Sequence, residues 1–87
     1  MKLINIGFSN LIVAERLVTV AAPDSAPMKR LIADAREAGT AVDCSGGKKT
    51  KSVLLTDSGH VILSALCTEE IAARIEGKAD TEQTEES

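Results

Sequence analysis

A single switch of hydrophobic period, at Pro23-Asp24-Ser25, does most to limit the folds open to this chain. Before it the sequence is strand-like. Residues Leu3 to Ile6 alternate and are rich in branched side chains until Gly7 breaks them, Leu11 to Val13 make a second short piece, and Arg16 to Ala21 read as a clearer strand. After it the period becomes helical. Asp24 or Ser25 can cap, Pro27 fits a first turn, and Met28, Leu31, Ile32 and Ala35 fall at i, i+3, i+4 and i+7, giving one apolar face to lay on a sheet. Gly39 suits a left-handed helix end, and Thr40 to Cys44 starts a new strand. Two hairpins are expected next. One joins Thr40–Cys44 to Lys51–Thr56 through a glycine and lysine loop. The other joins that strand to His60–Leu66 through the turn Asp57-Ser58-Gly59. Thr68 should cap a closing helix with Glu69 and Glu70 in its first turn and Ile71 and Ile75 facing the sheet. The fold class is therefore α+β: a small antiparallel β-sheet domain with one main docked helix and a short C-terminal helix.

A chain of 87 residues makes one domain with a small core, burying roughly 60% of its unfolded surface. Its one aromatic residue is Phe8, so the core must come from Ile, Leu, Val, Met and Ala, and self-association would supply the missing burial. Charge is unevenly spread. The first 75 residues carry eight acids and nine bases, while five acids and one base follow from Glu76 onward. Residues 1–76 read as the folded domain. Residues 77–87, without Val, Ile, Leu or an aromatic, read as a disordered acidic tail.

Within the mildly basic folded part, Ser45-Gly46-Gly47-Lys48-Lys49-Thr50-Lys51 sets three lysines beside a glycine pair, and no carboxylate lies between Asp43 and Asp57. Glycines let the backbone turn tightly and approach a ligand, and clustered ammonium groups draw anions. The segment reads as a polyanion site, against the plainer reading of a solvated charged loop. If Lys49 and Lys51 are already in the strand they share a face about 6.6 Å apart, a spacing suited to successive phosphates, with Lys48 projecting from the turn. Binders of single strands stack bases on aromatic rings, which this chain lacks apart from Phe8, so double-stranded DNA is the expected partner. Several copies presented together would raise the affinity. The alternative is a structural or protein-binding ring scaffold whose basic loop meets an acidic protein.

Other chemistries find little support. Cys44 and Cys67 are far apart and outside any paired-cysteine motif, and read as small buried hydrophobes in a reducing compartment; with His60 they lack a zinc-ligand spacing, so no metal is expected. Gly47-Lys48-Lys49-Thr50 falls short of a nucleotide-binding loop, because Val42 stands where another glycine is needed and a strand follows where a helix should. His60 has no recognisable nucleophile arranged around it. Neither enzymatic activity, a cofactor nor a small-molecule substrate is expected. No apolar run approaches the roughly 20 residues of a spanning helix, and Met1-Lys2-Leu3 opens directly into strand-like sequence, so the expected place is the cytoplasm, associated with the nucleoid, with no membrane partner.

Several segments taken together carry a likeness. Ile4-Asn5-Ile6-Gly7, Pro23-Asp24-Ser25-Ala26-Pro27, Lys29-Arg30, Asp34-Ala35-Arg36-Glu37, Asp57-Ser58 and His60-Val61-Ile62-Leu63-Ser64 resemble the RemA family, bacterial regulators of extracellular-matrix genes, over residues 3 to about 75. The resemblance implies a DNA-binding transcriptional regulator of matrix and biofilm genes. It further implies assembly into a ring-shaped homo-oligomer, octamer-like in size, a fold similar to the LytTR DNA-binding domain, and DNA wrapped or bridged by the ring. The family's basic motif, Arg-Arg-x-Arg, aligns with Lys48, Lys49 and Lys51, and a further DNA-contacting arginine aligns with Arg16. Lysine keeps the phosphate partner but loses the planar fork of arginine.

Overall fold

A computed structural model describes residues 1–77. The tail expected at 77–87 lies outside the described residues except for Gly77. Strands β1 (Leu3–Asn5) and β2 (Leu11–Val13) form an antiparallel hairpin, and a single 3-10 turn (Ala14–Arg16) leads into β3 (Leu17–Ala21). Helix α1 (Ala26–Ala38) follows, then β4 (Ala41–Cys44), β5 (Ser52–Thr56), β6 (Val61–Ser64) and helix α2 (Thr68–Ile75). The fold is α+β, with two helices and two sheets.

Helix α1 forms where its period places it. The Ser25 hydroxyl accepts the Met28 N–H at 3.3 Å, proline sits in the first turn, and Gly39 ends the helix at φ 80° with its N–H bonded to the Arg36 carbonyl. The hairpin of β5 and β6 is also as expected, with Gly59 at φ 87° in the turn.

The partner of β4 differs from the expected one. The larger sheet has the order β3-β5-β6-β4, so β4 pairs in parallel with β6, Ala41 beside Val61 through Cys44 beside Ser64, and never touches β5 as a hairpin partner. The sheet is mixed rather than antiparallel. Strands β3 and β4 run parallel at opposite edges, so α1 must cross the whole sheet, covering one face as it does so. Here β5 and β6 together insert between β3 and β4, and β5 buries both its faces.

That double burial divides the core in two. On one face Val53, Val61, Leu63 and Ala35 pack with Met28, Leu31 and Ile32 of α1. On the other, Leu54 meets Ile4 and Ile6 of the small hairpin and Ile71 of α2, with Ile75 packed alongside. Val53, Leu54, Leu63 and Ile71 are at most 1% exposed, each contributing about 1.5–3 kcal/mol of transfer free energy.

Helix α2 has Cys67 rather than Thr68 as its cap residue, and no side-chain hydrogen bond closes that cap. The Thr68 hydroxyl instead donates to Glu69 Oε1 at 3.2 Å, and the carboxyl of Glu69 is held below its ordinary range by its own backbone N–H, then by the Cys67 thiol and the Thr68 hydroxyl. The acid thus does the capping work. At the other end Arg74, 5% exposed, donates from Nε to Glu70 Oε2 at 2.9 Å and from Nη1 to the Asn5 carbonyl at 2.8 Å, fastening α2 to β1. Cys44 is half-buried, and burial pushes its thiol upward; Cys67 is exposed, contrary to the expectation that both would be buried.

Candidate nucleic-acid interface

The basic loop is built on two short turns that pack against each other. Asp43 Oδ1 accepts the Ser45 N–H at 2.9 Å and the Ser45 hydroxyl at 2.6 Å, an arrangement that fixes the loop's entry and holds the Asp43 carboxyl below its ordinary range. The Lys48 N–H then donates to the Ser45 carbonyl at 3.1 Å, closing a turn whose central residues Gly46 and Gly47 have φ of 64° and 84°. This φ pattern belongs to a type I′ turn, which glycine adopts without strain. At the exit the Lys51 N–H bonds the Ser64 carbonyl at 2.8 Å, anchoring the chain one residue before β5. Lys49 and Lys51 therefore precede the strand instead of standing within it.

The second turn is Gly7-Phe8-Ser9-Asn10, between β1 and β2, closed by the Asn10 N–H on the Gly7 carbonyl at 3.0 Å. Its central residues are not glycines, yet Phe8 and Ser9 lie at φ 55° and 63°. Backbone strain of about 1–2 kcal/mol per residue is held there. The outcome is a placed ring: Phe8 lies so close over Gly46 that a Cβ there would fall 2.8 Å from ring carbons, and Lys48 Nζ stands 6.0 Å from the ring centroid. An ammonium over an aromatic face at this range is weakly attracted.

The three lysines are all exposed, and the loop parts them. Lys48 goes with Phe8. Lys49 and Lys51 open, with Thr50, onto an open depression of about 640 Å³ that also takes Lys29 from the first turn of α1, and Cys67 and Thr68 from the start of α2. Arg16 is elsewhere. It leaves the 3-10 turn with Nε bonded to Asp57 Oδ1 at 2.9 Å, beside the β5–β6 turn, while Lys51 stands at the opposite end of β5. Six residue steps of extended chain lead from Lys51 to Asp57, roughly 20 Å. Within one protomer the lysines share a loop and Arg16 does not join them.

Two residues at the site escaped sequence reasoning. Phe8 read as an isolated ring near a strand end, though the glycine before it and Asn10 after it signalled a tight turn. Lys29 enters the sequence reading only as part of the Lys29-Arg30 pair in the family likeness, and nothing in the local pattern places it near the loop. His60 is exposed, its Nδ1 2.7 Å from Ser58 Oγ and its N–H on Thr56 Oγ1 at 3.1 Å, which ties it into the β5–β6 turn. Among the described residues no group of three or more His, Cys, Asp or Glu could hold a metal ion, and no helix is long and apolar enough to cross a membrane.

The sheet edges show a further pattern. Along β3 the register against β5 slips at Val18, between Leu17 and Thr19, and Val18 is 67% exposed; on the opposite edge, Val42 of β4 is 43% exposed. A bulge on an edge strand re-aims side chains and discourages open-ended pairing.

Comparison with known proteins agrees with the resemblance in the sequence. The family described as RemA-like, extracellular matrix regulatory protein A-like, matches residues 3–75. A protein of Dictyoglomus turgidum is 52% identical over 84 residues, covering 97% of this chain and 99% of the relative. One from Geobacillus thermodenitrificans is 51% identical over 80 residues, 92% of each chain. Another from Clostridium botulinum is 49% identical over 86 residues, 99% of this chain and 94% of the relative. All three are named as candidate regulatory proteins, which supports a regulatory role here. With a family match spanning nearly all the described residues and relatives half identical along almost their full lengths, this chain belongs to the RemA-like family.

Proposed function

We propose that this protein is a DNA-binding transcriptional regulator of extracellular-matrix and biofilm genes, which grips duplex DNA through lysines repeated around a ring-shaped homo-oligomer. The observation that carries the reading is the basic loop itself. Lys48, Lys49 and Lys51 are exposed on a segment anchored at entry by Asp43 and at exit by Ser64, in a stretch without carboxylates. Preformed cations lose little entropy on meeting phosphates, and lysine contacts set affinity and register without reading bases. Arg16 pairs with Asp57 through Nε alone, which leaves its terminal nitrogens for a phosphate. Because Arg16 and the loop lie at opposite ends of β5, the reading places them as two rows on the assembly. The LytTR-like fold and the nucleoid location belong to the same reading.

Assembly is supported by the edges. Val18 and Val42 stand on opposite edges of one sheet, so a contact between them is head-to-tail, and head-to-tail contacts close into rings when the rotation allows. The test replaces Lys48 and Lys49 with Ala and follows both properties. Gel retention of duplex should vanish while light scattering gives the wild-type mass. An intact gel shift in that variant counts against DNA binding by the loop, and a monomeric wild-type protein counts against the ring.

A further inference from the structure

We propose that Lys29 belongs to the DNA-binding surface, forming with Lys49 and Lys51 a single cationic seat for a stretch of phosphodiester backbone. The inference rests on the reading of the loop as a duplex interface and extends it to Lys29, which lies outside the basic motif and Arg16. Its ground is the depression between the first turn of α1, the start of α2 and the end of the basic loop, onto which the three lysines open together. The sequence separates Lys29 from the loop by all of β4. The fold brings them to one concavity because α1 crosses the sheet and the loop returns beneath its start.

Two carboxylates also line this concavity, Asp24 and Glu69. Glu69 accepts hydrogen bonds from its own N–H, the Cys67 thiol and the Thr68 hydroxyl, which hold its carboxylate at the start of α2 and keep it ionised. Three ammonium groups against two exposed carboxylates leave the concavity net positive by one charge, and Thr50 and Thr68 add hydroxyl groups on the same wall. The depression is broad and open, which suits a backbone laid across it better than an enclosed small molecule. Lys29 is the cation that tips this lining positive: without it Lys49 and Lys51 are only balanced by Asp24 and Glu69, so its removal weakens the local attraction for a phosphate backbone.

Arg30 supplies the control. It stands next to Lys29 on the same helix but opens onto a different depression, with Pro27, Leu31 and Asp34. Lys29→Ala and Arg30→Ala remove equal charge, so only a local contact separates them. Binding to a fluorescent duplex is measured over a range of salt for both variants and for Lys49→Ala. Lys29→Ala should lower the slope of log affinity against log salt by about 0.9 for each engaged subunit, matching Lys49→Ala, while Arg30→Ala keeps the wild-type slope. Exposed Cys67 gives a second readout on the same wall: duplex should slow its alkylation by iodoacetamide in the wild-type protein. If Lys29→Ala and Arg30→Ala behave alike, or if Cys67 reacts at the same rate with and without duplex, the seat is wrong even where the loop lysines still prove essential. If wild-type protein retains no duplex at all, the underlying reading fails and this one with it.

Discussion

Replacing Gly46 with Ala should destabilise the protein through one identifiable contact. Two costs add. At φ 64° an alanine bears a left-handed backbone penalty of about 1 kcal/mol, and its Cβ would lie 2.8 Å from Cε2 and Cζ of Phe8 and 2.9 Å from Cδ2. The ring must give way, and because Phe8 is 37% exposed it has room to do so. That puts this cost at the low end for an added carbon, about 1 kcal/mol, and the sum at about 2 kcal/mol. The ring half of that cost can be isolated. Phe8→Ala removes the ring but keeps a side chain at positive φ, so its own turn stays equally strained. In the Phe8→Ala background, Gly46→Ala should cost only the backbone part, leaving a coupling of about 1 kcal/mol between the two sites. Thermal and urea unfolding of the four proteins, at one protein concentration because assembly links stability to concentration, gives the cycle. For a domain of this size each kcal/mol moves Tm by about 4–8 °C, well within resolution. Equal costs for Gly46→Ala with and without the ring would refute the claim that Phe8 and the basic loop are packed as one unit.

Arg74→Ala should lower stability by about 2–3 kcal/mol, since it strips the Asn5 carbonyl and Glu70 of a buried partner; thermal melts should show this loss even in high salt, where surface pairs are screened. The paired serines of β5 and β6 should diverge. Ser64→Ala is expected to cost about 2 kcal/mol, because its hydroxyl donates to the Ile6 carbonyl at 2.8 Å and accepts the Leu66 N–H at 3.1 Å. Ser52→Ala, whose buried hydroxyl has no partner among the described residues, should be neutral or stabilising by up to about 1 kcal/mol in the same urea titrations. Asp43, Glu15 and Glu69 all have carboxyls held below their ordinary range, by Ser45, by the Lys2 backbone N–H, and by Glu69's own N–H respectively. The unfolded chain therefore takes up protons first as pH falls. Their contribution is complete above the ordinary carboxylate range and is lost below about pH 4, and Asp43→Asn should flatten the acid limb of the stability curve.

Local signals made the helices and one hairpin legible. Ser25, Pro27 and Gly39 bracket α1, its apolar spacing names Met28, Leu31, Ile32 and Ala35 as its buried face, and Asp57-Ser58-Gly59 marks the β5–β6 turn. The partner of β4 was not legible, because alternation tells which residues share a face and nothing about which strand lies alongside. β4 offers only one small residue to each core face, Cys44 to one and Ala41 to the other, too little to settle the choice. The lysines were legible as a cluster of charge, whereas their division between Phe8 and Lys29 depends on contacts between distant segments. Exposed Cys67 has a similar cause: a thiol beside a helix start reads as a hydrophobe until the packing of α2 is known.

The central claim is that loop lysines on many identical subunits meet duplex phosphates together, and the dependence of affinity on salt tests it most directly. Wild-type protein should show a steep linear fall of log affinity with log salt, and Lys49→Ala should flatten it by about 0.9 for every subunit engaged. A complex indifferent to salt, or a slope that the substitution leaves unchanged, would contradict the account.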